Sequence, residues 1–179
     1  MALPYATLTS TQRLVINVAA TSDKSVRAHL LWLLGGGHAH VHFDRAIAGL
    51  PPKLRGVKPA GLPYSPWMLL EHMRIAQWDI LDFTRNPKYV EIKWPDDYWP
   101  KRAGPPNAGA WQKSIAAFRR DLKAMMRLVR DPKTDLYAKI RHGNGQTILR
   151  EALLVADHNA YHIGQLIVVR RVMGAWKDA

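Results

Sequence analysis

An all-α fold, a four-helix bundle with long connecting loops, is what the sequence predicts, and three observations predict it. Apolar residues recur at helical intervals in four long segments, each bounded by a capping residue, a proline or a glycine. Alternation of apolar and polar residues, the mark of a half-buried strand, is scarce, and its best stretches are residues 38–43 and 89–93. The bulk figures suit one compact core, with 179 residues of which 47% are hydrophobic and 22% charged.

The first segment is expected over residues 23–34. Ser22 offers a capping oxygen, Val26, Leu30, Leu31, Leu33 and Leu34 form an apolar surface, and Gly35-Gly36-Gly37 stops the helix. A short piece near residues 44–50 follows, after which Pro51-Pro52 opens a loop that closes at Pro63.

Ser65-Pro66 starts the next long helix. Serine caps it, and proline fits the first turn, where its missing N–H costs nothing. Asn86-Pro87 ends it, since proline cannot continue the hydrogen-bond ladder. Residues 87–109, which include Trp94-Pro95-Asp96-Asp97-Tyr98-Trp99-Pro100, are too proline-rich for a regular element. Connections this long inside a compact domain are often lids.

A third long helix is expected over residues 110–130, with Ile115, Phe118, Leu122, Met125, Met126 and Val129 facing inward and Asp131-Pro132 closing it. Its other face carries Arg119, Arg120, Lys123, Arg127 and Arg130. Thr147 caps the final helix, which ends near Gly174.

Charge and composition narrow the function. Lys and Arg number 26 against 14 Asp and Glu, a formal net charge of +12. Such a balance invites a nucleic-acid reading, yet the basic residues are spread along the chain, with no zinc-finger spacing and no RNA-binding aromatic signature, so nucleic acid is not the expected partner. If the charge serves function, it favours anionic substrates. Cysteine is absent, which leaves His, Asp and Glu to hold any transition metal. The longest apolar stretch, residues 149–173, is interrupted by charges, so no membrane span is expected. Only Arg13 precedes the apolar run at residues 14–20, a poor secretory signal, and a cytoplasmic protein is expected.

The strongest chemical signal is the pair His158 and His162 in Asp157-His158-Asn159-Ala160-Tyr161-His162-Ile163-Gly164-Gln165. Four residues apart on a helix, the two rings project side by side, and Leu154, Val155 and Val169 share the arc of His158. Two unpartnered rings in an apolar interior would each cost on the order of 1 to 3 kcal/mol, whereas one ion satisfies both. Core histidines bonded to carbonyls or water are the plainer alternative. In a bundle a third ligand must come from another inward stripe, and His72, among Met68, Leu69, Ile75, Ala76 and Phe83, meets that demand.

The phrases Ser65-Pro66-Trp67-Met68-Leu69-Leu70-Glu71-His72 and Asp157-His158-Asn159-Ala160-Tyr161-His162-Ile163-Gly164-Gln165, in that order and spacing, resemble the DinB-like (DinB/YfiT) superfamily of bacterial metal-binding four-helix-bundle proteins, over roughly residues 22–176. The resemblance implies that His72, His158 and His162 hold a divalent metal ion, nickel or zinc, and that the chain forms a homodimer. It implies a hydrolase or a thiol-dependent transferase acting on a small molecule, without naming the substrate. Residues 1–21 are then an N-terminal extension, and residues 22–179 the bundle domain. His38, His40 and His42 lie outside the metal pattern. Their alternate spacing suits either a second ion on an extended strand or a solvated loop.

Three histidines leave a tetrahedral ion one open position, the mark of a catalytic site. Such an ion lowers the pKa of a water from 15.7 towards about 7, or keeps a thiol deprotonated. Asp79, Glu151 and Gln165 recur along the histidine faces and are candidates to orient the ligand rings, although Glu151 also suits a helix N-terminus. Tyr161 is a further candidate, through its hydroxyl. The rival reading is a non-enzymatic helical module, with a structural metal or a basic surface that binds nucleic acid or protein.

Overall fold

The computed structural model describes the backbone of residues 10–36 and 39–177, and the side chains of residues 22–36 and 39–177. Four long helices dominate: α1 (Ser10–Gly35), α3 (Pro66–Arg85), α4 (Ala110–Arg130) and α5 (Ile148–Val172), with a short α2 (Phe43–Ile47) and a single 3-10 turn at Pro52–Leu54. α3 packs on α4 and α5, and α1 closes the bundle against the same two helices. Among the described residues there is no β-strand, only an isolated bridge between Lys139 and Thr147. Residues 89–93, read from sequence as a possible strand, run as irregular chain, and no neighbour offers them a ladder.

The boundaries follow local chemistry. Ser65 accepts from the Met68 amide at 3.2 Å, and Thr147 accepts from the Arg150 amide at 3.2 Å, so both caps form where the sequence places them. Asn86 and Asp131 end α3 and α4 before their prolines. Gly36 turns the chain out of α1 at φ +65°, a backbone that a side chain would oppose.

One start is corrected. α1 begins at Ser10 rather than at residue 23, and Ser22 is an exposed mid-helix residue, not a cap. No proline or glycine stands between Ser10 and Leu34, so nothing interrupts the ladder, and a solvent-facing serine inside a helix is tolerated.

Two apolar clusters fill the bundle. Phe43, Trp67, Leu70, Trp111, Phe118 and Leu166 form one, in which Phe43 and Phe118 stack with centroids 3.8 Å apart. Leu30, Leu34, Leu81, Met125, Leu136 and Val155 form the other. Between the helices runs a buried polar chain: the Asn159 amide donates to Gln77 at 2.9 Å, and the Gln77 amide donates to the Phe118 carbonyl at 2.7 Å. Both polar atoms of the Gln77 amide have partners, so the contact between α3, α4 and α5 is specified as well as greasy, although Asn159 Oδ1 is buried without one. The arginines and lysine of the outer face of α4 are all exposed, as a solvated face requires. Among the described residues no helix is long and apolar enough to cross a membrane.

Candidate metal centre

α3 brings His72 inward and α5 brings His158 and His162, and the pairing of those two helices sets the three rings together. One ligand nitrogen from each lies within 4.8 Å of the others. His72 is 2% exposed and His162 6%, while His158 is partly buried. His158 Nε2 stands 3.1 Å from His72 Nε2.

The other ring nitrogens say which atoms are free to bind. His72 Nδ1–H donates to the Tyr98 carbonyl at 2.9 Å. A carbonyl can only accept, so the proton of neutral His72 sits on Nδ1 and its Nε2 carries a lone pair. His162 Nδ1–H donates to Gln165 Oε1 at 2.7 Å, which leaves its Nε2 in the same state. His158 Nδ1 is buried without a partner.

That last atom tests the fit of an ion. If His158 puts its proton on Nε2, it can donate to His72, but a buried Nδ1 lone pair is stranded. If it puts the proton on Nδ1, two lone pairs face each other across 3.1 Å. A cation between them turns that repulsion into coordination. Adjacent nitrogens on a tetrahedral ion with bonds of about 2.0–2.1 Å stand about 3.3 Å apart, close to the observed separation. The residues therefore fit a divalent ion.

Electrostatics agrees. Burial, and next the repulsion of His162, hold His72 down at about 4 against the pull of the Tyr98 carbonyl. Burial followed by repulsion from His162 and His72 takes His158 to about 3. Burial also lowers His162, opposed by Gln165. Neutral rings at pH 7 are the form that binds metal.

Aromatic packing fixes the centre from outside. Trp99 stacks on His72 at 3.8 Å with planes 2° apart, and on Tyr64 at 4.3 Å. The proline-rich connection therefore reaches the centre twice, through the Tyr98 carbonyl and the Trp99 ring. The sequence offers Trp94, Tyr98 and Trp99 as apolar walls of a lid or as anchors of a long loop, and does not reveal either contact with His72.

The candidates for orienting residues separate. Gln165 is the direct partner of His162. Asp79 is not the partner of His72. It accepts the hydroxyls of Tyr98 at 2.6 Å and Tyr89 at 2.9 Å, so it touches the centre only through Tyr98. Glu151 is buried and accepts from Arg150 at 2.8 Å. Tyr161 is 64% exposed and meets the edge of His162 at 4.9 Å. Among the second histidine set, His38 lies outside the described residues. His40 and His42 are exposed, and His42 caps α2 by accepting from the Arg45 amide at 3.3 Å.

A cavity of about 520 Å³ opens beside the centre, with His158 in its wall. From there it follows α3 past Ala76, Asp79 and Phe83 and α5 past Leu154 and Glu151. Tyr89, Trp94 and Tyr98 of the long connection line it as well.

Residues 39–166 match the DinB superfamily, a span that contains all three histidines. No curated protein and no solved structure matches the chain.

Proposed function

The chain belongs to the DinB superfamily, and on that premise we propose that it is a metal-dependent enzyme, a hydrolase or a thiol-dependent transferase, built on His72, His158 and His162. Nickel and zinc are among the ions that a neutral three-imidazole set suits. The observation that carries the reading is the pair of facing Nε2 atoms on His72 and His158, with the outer nitrogens of His72 and His162 already committed elsewhere.

When bound, the ion would supply Lewis acidity, lowering the pKa of a water or thiol in its open position. The chain supplies the rest. Tyr98 and Gln165 hold two rings in the tautomer that presents Nε2, Trp99 covers His72, and the adjoining cavity gives an organic substrate room next to His158. Glu151 lines the same cavity, 2% exposed and paired with Arg150 at 2.8 Å, so its carboxylate steadies that wall.

We further propose a cytoplasmic homodimer, with residues 22–179 as the working unit. An exposed apolar stripe on α5, Leu153, Tyr161, Val168 and Val172, supports a self-contact.

Elemental analysis of tag-free protein tests the first half: close to one nickel or zinc per chain is expected. Activity on an ester, amide and thiol-transfer panel tests the second. His158→Ala should lose both metal and activity while its circular dichroism stays helical. Loss of the fold on removing the metal, with no activity from the intact protein, would favour a structural ion. Retention of metal by His158→Ala would overturn the ligand set.

A further inference from the structure

Away from the ion proposed at its His158 end, the wall of the cavity beside the metal centre has the opposite charge to the protein around it. The chain carries a formal +12, yet the charged residues in the cavity wall are Asp79, Glu91, Glu151 and Arg150, three carboxylates against one guanidinium. That guanidinium is already spent, since Arg150 Nη1 lies 2.8 Å from Glu151. Asp79 is 6% exposed and has phenols, not a cation, as its partners. Glu91 is exposed at the mouth.

Four aromatic rings share the wall with His142, Asn144, Gln146 and small or aliphatic residues. Phe83, Tyr89, Trp94 and Tyr98 all line the space, with Phe83 and Tyr89 meeting edge to face at 5.3 Å and Trp94 and Tyr98 at 5.1 Å. Trp94 is 67% exposed, an unusual cost for so large an apolar ring unless something covers it. Aromatic faces together with fixed carboxylates form a receptor for a cation: the ring quadrupole attracts positive charge, and an anion would meet repulsion from both. The phenols register the same field. After burial, the charges of Asp79 and Glu91 are among the causes that push both Tyr89 and Tyr98 above the usual range.

We propose that this cavity selects a substrate bearing an organic cation, an ammonium or guanidinium group, seated among Asp79, Glu91, Tyr89 and Trp94. Its reacting group then extends along the wall to His158. The surface charge alone pointed to anions, and the cavity reverses that expectation. The selection of a substrate rests on the proposed metal-dependent reaction, whereas the affinity for a cation does not.

The test uses matched small probes on the full-length protein, with and without added zinc. Benzyltrimethylammonium, its neutral carbon isostere neopentylbenzene, and the anion 3-phenylpropionate are titrated and followed by tryptophan fluorescence and calorimetry. The cation should bind at least tenfold more tightly than the other two. Glu91→Gln, at an exposed position that leaves the fold alone, should weaken the cation severalfold and leave the neutral probe unchanged. Trp94→Ala should remove most of the fluorescence response. Asp79→Asn should weaken the cation further, and Glu91→Gln carries the test if that buried change unfolds the chain. Equal or tighter binding of the anion, or indifference of the cation to Glu91→Gln, overturns the proposal. Failure of the wild-type protein to take up either zinc or nickel, with cation binding intact, would sink the metal-dependent reading alone.

Discussion

Tyr98 and His72 are joined through main chain on one side and ring on the other: the Tyr98 carbonyl accepts the His72 Nδ1–H at 2.9 Å. The hydroxyl of the same tyrosine donates to Asp79 at 2.6 Å. A single loop residue therefore sets the tautomer of a candidate ligand with an atom that mutation cannot remove, and anchors itself with one that mutation can.

Tyr98→Phe separates these two functions. Asp79 keeps its bond from Tyr89 but loses the shorter one, and the loss of one partner to a buried group costs about 1–3 kcal/mol. Thermal unfolding should shift down accordingly. Zinc affinity should change by less than tenfold, because the carbonyl stays. A loss as large as that of His72→Ala would mean that the hydroxyl, not the main chain, governs the ring.

Gln165 acts on the centre directly. Its Oε1 accepts from His162 Nδ1 at 2.7 Å, and the loss of such outer partners usually weakens metal affinity by about 10–100-fold. Gln165→Ala should show a loss in that range in competition with a chelator, with helicity unchanged. Gln165→Glu, which accepts more strongly, should restore the affinity. Equal affinity of the wild type and Gln165→Ala would show that the ring needs no such support.

These two residues also mark how far the sequence could be read. The spacing of His158 and His162 and the inward stripe of His72 are visible because helices impose a period on side chains. The caps at Ser65 and Thr147 are visible because their chemistry is local. Tyr98 is different: what matters is its carbonyl, and a main-chain acceptor leaves no residue preference behind. Trp99 stands in a segment without period, so its stacking on His72 depends on the path of the loop. The acidic cavity was hidden for a third reason. Asp79, Glu91 and Glu151 come from a helix, a loop and another helix, and only packing collects them.

Protonation gives a prediction about the metal-free chain. The ordinary value of 6.5 applies to unfolded histidine, while the folded protein holds His72 at about 4 and His158 at about 3. Between those limits the unfolded state binds more protons than the folded state. Stability is therefore full above about pH 6.5 and is lost as pH falls through that window. The urea midpoint of chelator-treated protein should drop from pH 7 to pH 5, and His158→Leu should flatten the drop. A midpoint constant down to pH 4 would show that the rings titrate normally.

The last prediction concerns how the long connection is held over the centre. A Cβ added at Gly56 would stand 2.8 Å from the Gly104 Cα, closer than packed atoms approach, whereas one added at Gly104 would meet the Gly56 Cα at an ordinary 3.5 Å. The Ser65 hydroxyl donates to the Ala103 carbonyl next door, and the Trp67 amide donates to the Arg55 carbonyl at 2.8 Å. The start of α3 and both loops are thus tied at one point, five residues beyond the Trp99 ring that covers His72. Because the opposing atom is backbone, it cannot swing away as a flexible side chain would. Gly56→Ala should cost about 1–3 kcal/mol, as overpacking does, and lower the melting temperature. It should also displace Trp99, seen as a changed near-ultraviolet dichroism, and weaken zinc binding although it alters no ligand. An unchanged melting temperature with unchanged zinc affinity would mean that the two loops can part without disturbing the histidines.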